Sequence, residues 1–346
     1  MSLGTKTGPL TEANMPLKRP LWEDIVHVVG EQKNVFLALL KKGTKPGNAI
    51  HNWPARDLDA GGYGGTGDGT PAGGNAKRRD YGSLSNAVEW NREEWKVSKY
   101  AENTDAYGIA YSEHKKEQKA AALNRLKDGM EKLFLSEQDA AVEDGETPFR
   151  CRGIGSILAA TGHNAQFPIP EALRVPSECI FSNALDTFGE DDLEAMLSAA
   201  ASELNGAVTW DGFVGPRLKR RMDLFAARDP NASATNVAMR QFTQNGRDGE
   251  FVSMVDVFKF SVGIARVHIN FNLFCDSDGV RNSVRSAGGG YFLDMSRFRI
   301  AFMEDVYHKD LTDDDSGATG VYGYMATLKY GVPKGQAMVR PSALTS

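Results

Sequence analysis

Cysteine is scarce in this chain: Cys151, Cys179 and Cys275 are the only ones in 346 residues. Their wide spacing excludes a disulfide framework and a CxxC metal knuckle, and leaves free thiols suited to a reducing compartment. Long apolar runs are missing too. None approaches the roughly 18 to 20 residues that a membrane span needs, so no membrane partner is expected. Neither sign of charge dominates, with Lys plus Arg at 40 against Asp plus Glu at 45. Proteins that wrap nucleic acid tightly and without sequence preference carry a clear basic excess, so tight wrapping is not expected and weak or local contact with nucleic acid stays open. Residues 1–18 are polar and contain Pro9 and Pro16, with no basic stretch leading into an apolar one. Signal-peptide export is not expected.

Motifs for chemistry are equally thin. Gly62, Gly64 and Gly67 satisfy GxGxxG in letters, but a dinucleotide site needs a buried strand before the glycines and a helix N-terminus after them. Here ArgAspLeuAspAla precedes, and Pro71, Gly73 and Gly74 follow, which describes a loop tip. No phosphate-binding GxxxxGK[ST] occurs. The histidines His27, His51, His114, His163, His268 and His308 lack the HExxH spacing that sets two imidazoles on one metal. Asp276, Ser277, Asp278 and Gly279 open like a calcium loop but lack its closing glutamate, so a turn is expected. Asp313, Asp314 and Asp315 read as a solvated acidic turn. Lys77, Arg78 and Arg79, and Arg217, Lys219, Arg220 and Arg221, read as solvated basic faces. With no GxSxG elbow either, no enzyme, no cofactor and no metal site is expected.

What is present is an unusual order of elements. Leu21, Ile25, Val26 and Val29 after Pro20 suit a short amphipathic helix. A second apolar segment, Val35 to Leu40, ends in Lys41, Lys42 and Gly43, which read as a cationic last turn and a glycine stop. Residues 48–57 and 89–101 look extended, with the glycine-rich tract 60–75 between them. These limbs carry too much charge to bury both faces at home, so the spacing predicts a protruding hairpin that needs a partner surface. Leu123, Leu126, Met130 and Leu133 then predict one long helix over 112–140, about 28 residues or roughly 42 Å.

A clean amphipathic helix is predicted over 191–206, from Leu193, Met196, Leu197, Ala200 and Leu204, with Gly206 as its stop. A strand over 207–214 and a basic helix opened by Pro216 follow. The last third is β-rich. Ala265, Val267, Ile269, Phe271 and Leu273 alternate with Arg266, His268, Asn270 and Asn272, which predicts a hairpin with one wet face. Two more strands are expected over 291–303 and 322–328.

Taken in order, these phrases resemble the major capsid proteins of tailed bacteriophages with the Hong Kong 97 type fold. The similarity rests on EQKNVFLALLKKG (31–43), HNWPARDLD (51–59), KVSKYAENTDAYGI (96–109), KAAALNRLKDGMEKLFL (119–135), FRCRGIGSIL (149–158) and VGPRLKRR (214–221). It implies an α+β chain: an N-arm (1–46), an extended loop or E-loop hairpin (47–101), a peripheral domain with a spine helix (102–165), an axial domain (166–290) and C-terminal strands returning to the peripheral domain (291–346). The glycine-rich insert at the hairpin tip departs from the pattern. Nothing supports the lysine to asparagine cross-link that some members use, so none is expected.

The resemblance further implies a homo-oligomer of hexamers and pentamers, located in the virion after assembly in the host cytoplasm. Scaffold, decoration and portal proteins are the implied partners, and rigid-domain rotation about arm and loop the implied route of maturation. Trp53, Arg56, Asp57, Trp95 and Lys99 are expected at inter-subunit contacts. Two other readings stay open at this point: the shell of a cellular nanocompartment of the same fold, and a nucleotide-binding enzyme that uses the glycine tract.

Overall fold

The computed structural model describes residues 34–56, 82–102, 114–204, 206, 208–225, 256–276, 279–311 and 317–345. In chain order the first elements are α1 (Val35–Leu39), β1 (Lys41–Lys42), β2 (Ile50–Ala55), β3 (Gly82–Ala87), β4 (Glu89–Ser98), α2 (Lys99–Glu102) and α3 (His114–Phe134). Then come α4 (Ile154–Ile157), β5 (Ile180–Phe181), α5 (Glu190–Leu204), β6 (Val208–Val214) and α6 (Pro216–Phe225). The chain closes with β7 (Val257–Phe260), β8 (Gly263–Ile269), α7 (Ser283–Gly288), β9 (Gly290–Leu293), β10 (Phe298–Asp310), β11 (Gly317–Tyr330) and β12 (Ala337–Val339).

Two sheets carry the described fold. A four-stranded sheet runs β1-β10-β11-β4 and a six-stranded sheet runs β5-β12-β9-β6-β8-β7, while β2 and β3 pair by themselves. The sequence expectation for the hairpin is corrected here. The limb that returns to β2 is β3, in register from Ile50 opposite Ala87 to Ala55 opposite Gly82. The segment expected to be that limb, β4, instead pairs antiparallel with β11 along its whole length. Its residues alternate strictly between covered and exposed, as a strand with one face under a helix must.

That helix is α3. Ala122, Leu126, Met130 and Phe134, four residues apart, form its buried stripe. Its 21 residues span about 31 Å, shorter than the sequence suggested at its C-terminal end, and residues 103–113 lie outside the described ones. The helix ends where its carbonyls find other donors. The Ser136 hydroxyl bonds Leu133 O at 2.7 Å, and Leu135 O accepts from Phe274 N and the Tyr291 hydroxyl, each at 3.2 Å.

Three further readings change. Lys41 and Lys42 form the short parallel strand β1 beside β10 rather than the last turn of α1. The alternation of 265–273 fails beyond Ile269, where β8 stops. Asn270 and Asn272 turn inward, leaving Ile269 and Phe271 exposed, because both amides are drawn to acids on α3: Asn270 to Glu131 at 2.6 Å and Asn272 to Asp128 at 2.9 Å. The C-terminal strands also divide between the sheets, with β10 and β11 in the four-stranded one and β9 and β12 in the six-stranded one.

α5 begins at Glu190, with Asp192 reaching back to accept from Gly189 N at 2.8 Å, a capping interaction. β6 enters α6 through Gly215, where any side chain would meet Ser286 O at 2.2 Å. The expected 20–30 helix, the glycine-rich tract, Lys77 to Arg79, Asp278 and the Asp313 to Asp315 turn lie outside the described residues. Among those described, no helix is long and apolar enough to cross a membrane.

Candidate assembly surfaces

Trp53 and Trp95, expected to face a neighbouring subunit, are covered by their own chain. Trp53 is 7% exposed, donates its indole N–H to Tyr330 O at 2.8 Å and meets the Tyr330 ring edge-on at 5.1 Å. Trp95 is 2% exposed and packs with Val97, Ala122 and Ala318 between β4 and α3. Its N–H reaches His308 Nε2 at 3.3 Å, and the Lys119 ammonium sits 4.8 Å over its ring. Opposite it in β11 stands Gly320, where an added Cβ would lie 2.5 Å from the indole. The two indoles are therefore part of this chain's own core. Arg56 and Lys99 remain exposed, and Asp57 lies outside the described residues.

Among the described residues the tryptophan that faces outward is Trp90, 52% exposed and missed by the sequence reading. The signal was available in the alternation of β4, where Trp90 shares a face with Arg92, Glu94 and Lys96 while Trp95 shares the other with Val97. On this open face the Trp90 N–H donates to the Tyr307 hydroxyl at 3.1 Å and the Arg92 guanidinium lies 4.7 Å over its ring. The Tyr307 ring covers Gly323, the residue opposite it in β11. Exposed apolar side chains also occur at Tyr100, Leu224 and Phe271, surface that association can cover.

Buried polar hubs hold these surfaces in place. Glu131 of α3 accepts from Phe36 N at 3.1 Å, Leu37 N at 2.9 Å and Asn270 Nδ2 at 2.6 Å. One carboxylate thus fastens α1, the long helix and the end of β8 together. Burial pushes its pKa up, against the lowering effect of those hydrogen bonds. Glu89 is similar: it accepts from Cys151 N at 2.8 Å, Gln138 Nε2 at 2.9 Å and Asn91 Nδ2 at 3.0 Å, and burial again raises its pKa. Arg285 meets Glu137 at 2.7 Å, fixing α7 to the segment after α3.

The predicted basic face on α6 divides. Lys219 is buried against Asp223 at 2.9 Å and Asp256 at 3.2 Å, and Arg221 donates to Phe188 O at 2.8 Å, which leaves Arg217 and Arg220 exposed. Of the calcium-like opening, Ser277 and Asp278 lie outside the described residues, while Asp276 accepts from Val280 N at 2.7 Å and Gly279 has φ 74°. All three cysteines are free and buried, and desolvation pushes the Cys151 and Cys179 thiols up to about 12. Among the described residues no three metal-ligating side chains come together.

A family model described as the SU10 major capsid protein matches residues 8–343. Solved structures of similar fold include the capsid asymmetric unit of cyanophage Pam1, at 14% identity and TM-score 0.60, covering 98% of this chain and 99% of that one. The capsid of a native GTA particle matches at 9% identity and TM-score 0.59, covering 96% and 98%. A structure from Mycobacterium phage Bobi matches at 12% identity and TM-score 0.58, covering 97% and 100%. No curated protein sequence matches the chain.

Proposed function

Because the chain belongs to the SU10 major capsid protein family, we propose that its copies join by repeated head-to-tail contacts into the pentamers and hexamers of an icosahedral or prolate phage head around double-stranded DNA. It is a major capsid protein, and its work is mechanical: to present surfaces that only further subunits cover. The observation that carries this reading is the family match over residues 8–343, together with capsid structures superposing on nearly the whole chain. Heterologous contacts of this kind close into a cage when the rotation between neighbours is fixed.

In this reading the β2–β3 hairpin is the extended loop, α3 the spine, and the six-stranded sheet the core of the axial domain, as in the Hong Kong 97 arrangement. Arg56, just past β2, and Lys99 at the start of α2 are the exposed members of the proposed contact set. Exposed Trp90, Tyr100 and Phe271 supply apolar area for burial between subunits. Location in the virion, assembly in the host cytoplasm, and scaffold, decoration and portal partners belong to the same proposal, with weak contact to the packaged DNA. The net charge of −5 favours that weakness, since a shell that gripped phosphate tightly would oppose packing and release.

Negative-stain imaging and light scattering of the purified chain over a range of salt test the reading. Shells or capsomer rings are expected. A monomer under every condition overturns it.

A further inference from the structure

The register of the four-stranded sheet places three cations in a row. Lys41 of β1 is opposite Arg299 of β10, and Arg299 is opposite Lys329 of β11. Side chains paired across strands share a face at about 5 Å spacing, and like charges so placed repel. Arg299 and Lys329 line an open cavity of about 520 Å³ together with Lys42, Arg297 and Trp53, and no acidic side chain lines it. Lys42 and Arg297 have partners, Asp305 at 3.1 Å and Asp294 at 3.0 Å. Among the described residues no carboxylate forms an ion pair with Lys41, Arg299 or Lys329. Lys329 has only the Trp53 ring, 6.0 Å away, and its charge adds to burial in holding His51 below its ordinary pKa. In a chain of net charge −5, this is a local excess that the described residues leave unbalanced.

The complementary feature lies elsewhere on the chain. Between α3 and α4 a turn carries Glu143, Asp144 and Glu146, all exposed and without an ion pair among the described residues. Asp144 accepts from Thr147 N at 2.7 Å and Glu146 N at 3.1 Å, Gly145 closes the turn at φ 92°, and a bridge between Ala141 and Arg150 anchors its base. This is a rigid acidic knob, and no ion pair links it to the cationic row within the chain. Duplex DNA fits the row less well. The row is short, two of the neighbouring cations, Lys42 and Arg297, are already paired with Asp305 and Asp294, and phosphate tracking needs an extended basic face.

Resting on the capsid reading, we propose that the Lys41, Arg299 and Lys329 row is the docking site for the Glu143 to Glu146 turn of a second copy of this chain. The contact joins two different surfaces, so it is head-to-tail and propagates from subunit to subunit.

The test pairs Arg299→Gln/Lys329→Gln with a charge swap. Relief of repulsion leaves the melting temperature of the unassembled double variant equal to or above wild type, which shows that it folds. Its critical concentration for assembly rises about tenfold, and assembly loses salt sensitivity. Arg299→Glu blocks assembly, and adding Glu143→Lys/Glu146→Lys restores it to within about threefold of wild type. Assembly indifferent to the double variant, a swap that fails to restore, or loss of duplex-DNA binding with assembly intact each overturns the proposal. A wild-type chain that stays monomeric in the same assay removes the capsid reading, and this inference with it; a wild type that assembles beside indifferent variants removes the inference alone.

Discussion

The two faces of β4 make opposite use of the same residue type. Trp95 faces α3 and is sealed between Ala122 and Gly320, whereas Trp90, five positions earlier on the other face, stands half in solvent. The covered face belongs to this chain's own core, and the open face is the one proposed for contact with further subunits. An aromatic side chain in a charged strand therefore says nothing by itself about assembly; its parity in the pleat decides.

The sharpest way to break this comparison is truncation on the covered side. Trp95→Ala should cost about 3–5 kcal/mol, read as a large fall in melting temperature of the unassembled chain. Next is Glu131→Ala, which strands the Phe36 and Leu37 amides and the Asn270 side chain and should cost about 2–4 kcal/mol by denaturant titration. A smaller effect concerns pH. The folded pKa of Glu131 lies above its ordinary 4.5, so protonation favours the folded state. Its stabilising effect is complete below that value and is lost as pH rises through the raised pKa. Glu131→Gln should flatten the fall in stability between pH 4.5 and neutrality, and an unchanged slope counts against the assignment. Trp90→Ala should change unassembled stability by under about 0.5 kcal/mol while weakening assembly. Finally, with its thiol pushed up to about 12, Cys151 should resist alkylation in the native chain and react only on unfolding, as mass spectrometry would record.

Much of the architecture was legible in the sequence because periodicity carries it: the long helix with Leu126 and Met130 on its buried stripe, although Ala122 and Phe134 complete that stripe where Leu123 and Leu133 were expected, the Leu193 to Ala200 face with its acidic start, and Pro216 opening α6. Partner choice between strands was not. β4 was assigned to β2 when its real partner, β11, lies more than 200 residues away, and no local signal separates a hairpin limb from a strand paired at long range. The inward turn of Asn270 and Asn272 was hidden for a related reason. Alternation labels amides as solvent-facing, and only the acids of α3 across the gap reverse that label. The burial of Trp53 had the same origin, since its acceptor is the carbonyl of Tyr330. The cationic row was out of reach until register set Lys41, Arg299 and Lys329 side by side.

Glu131 has a mechanical consequence. Its carboxylate holds the first amides of α1, the segment through which the N-terminal residues join the body, and the same carboxylate holds the end of β8. In the proposed shell, a load that enters at α1 meets a joint shared by the long helix and the six-stranded sheet. β1 follows α1 directly and pairs with β10, so the same load also reaches the four-stranded sheet.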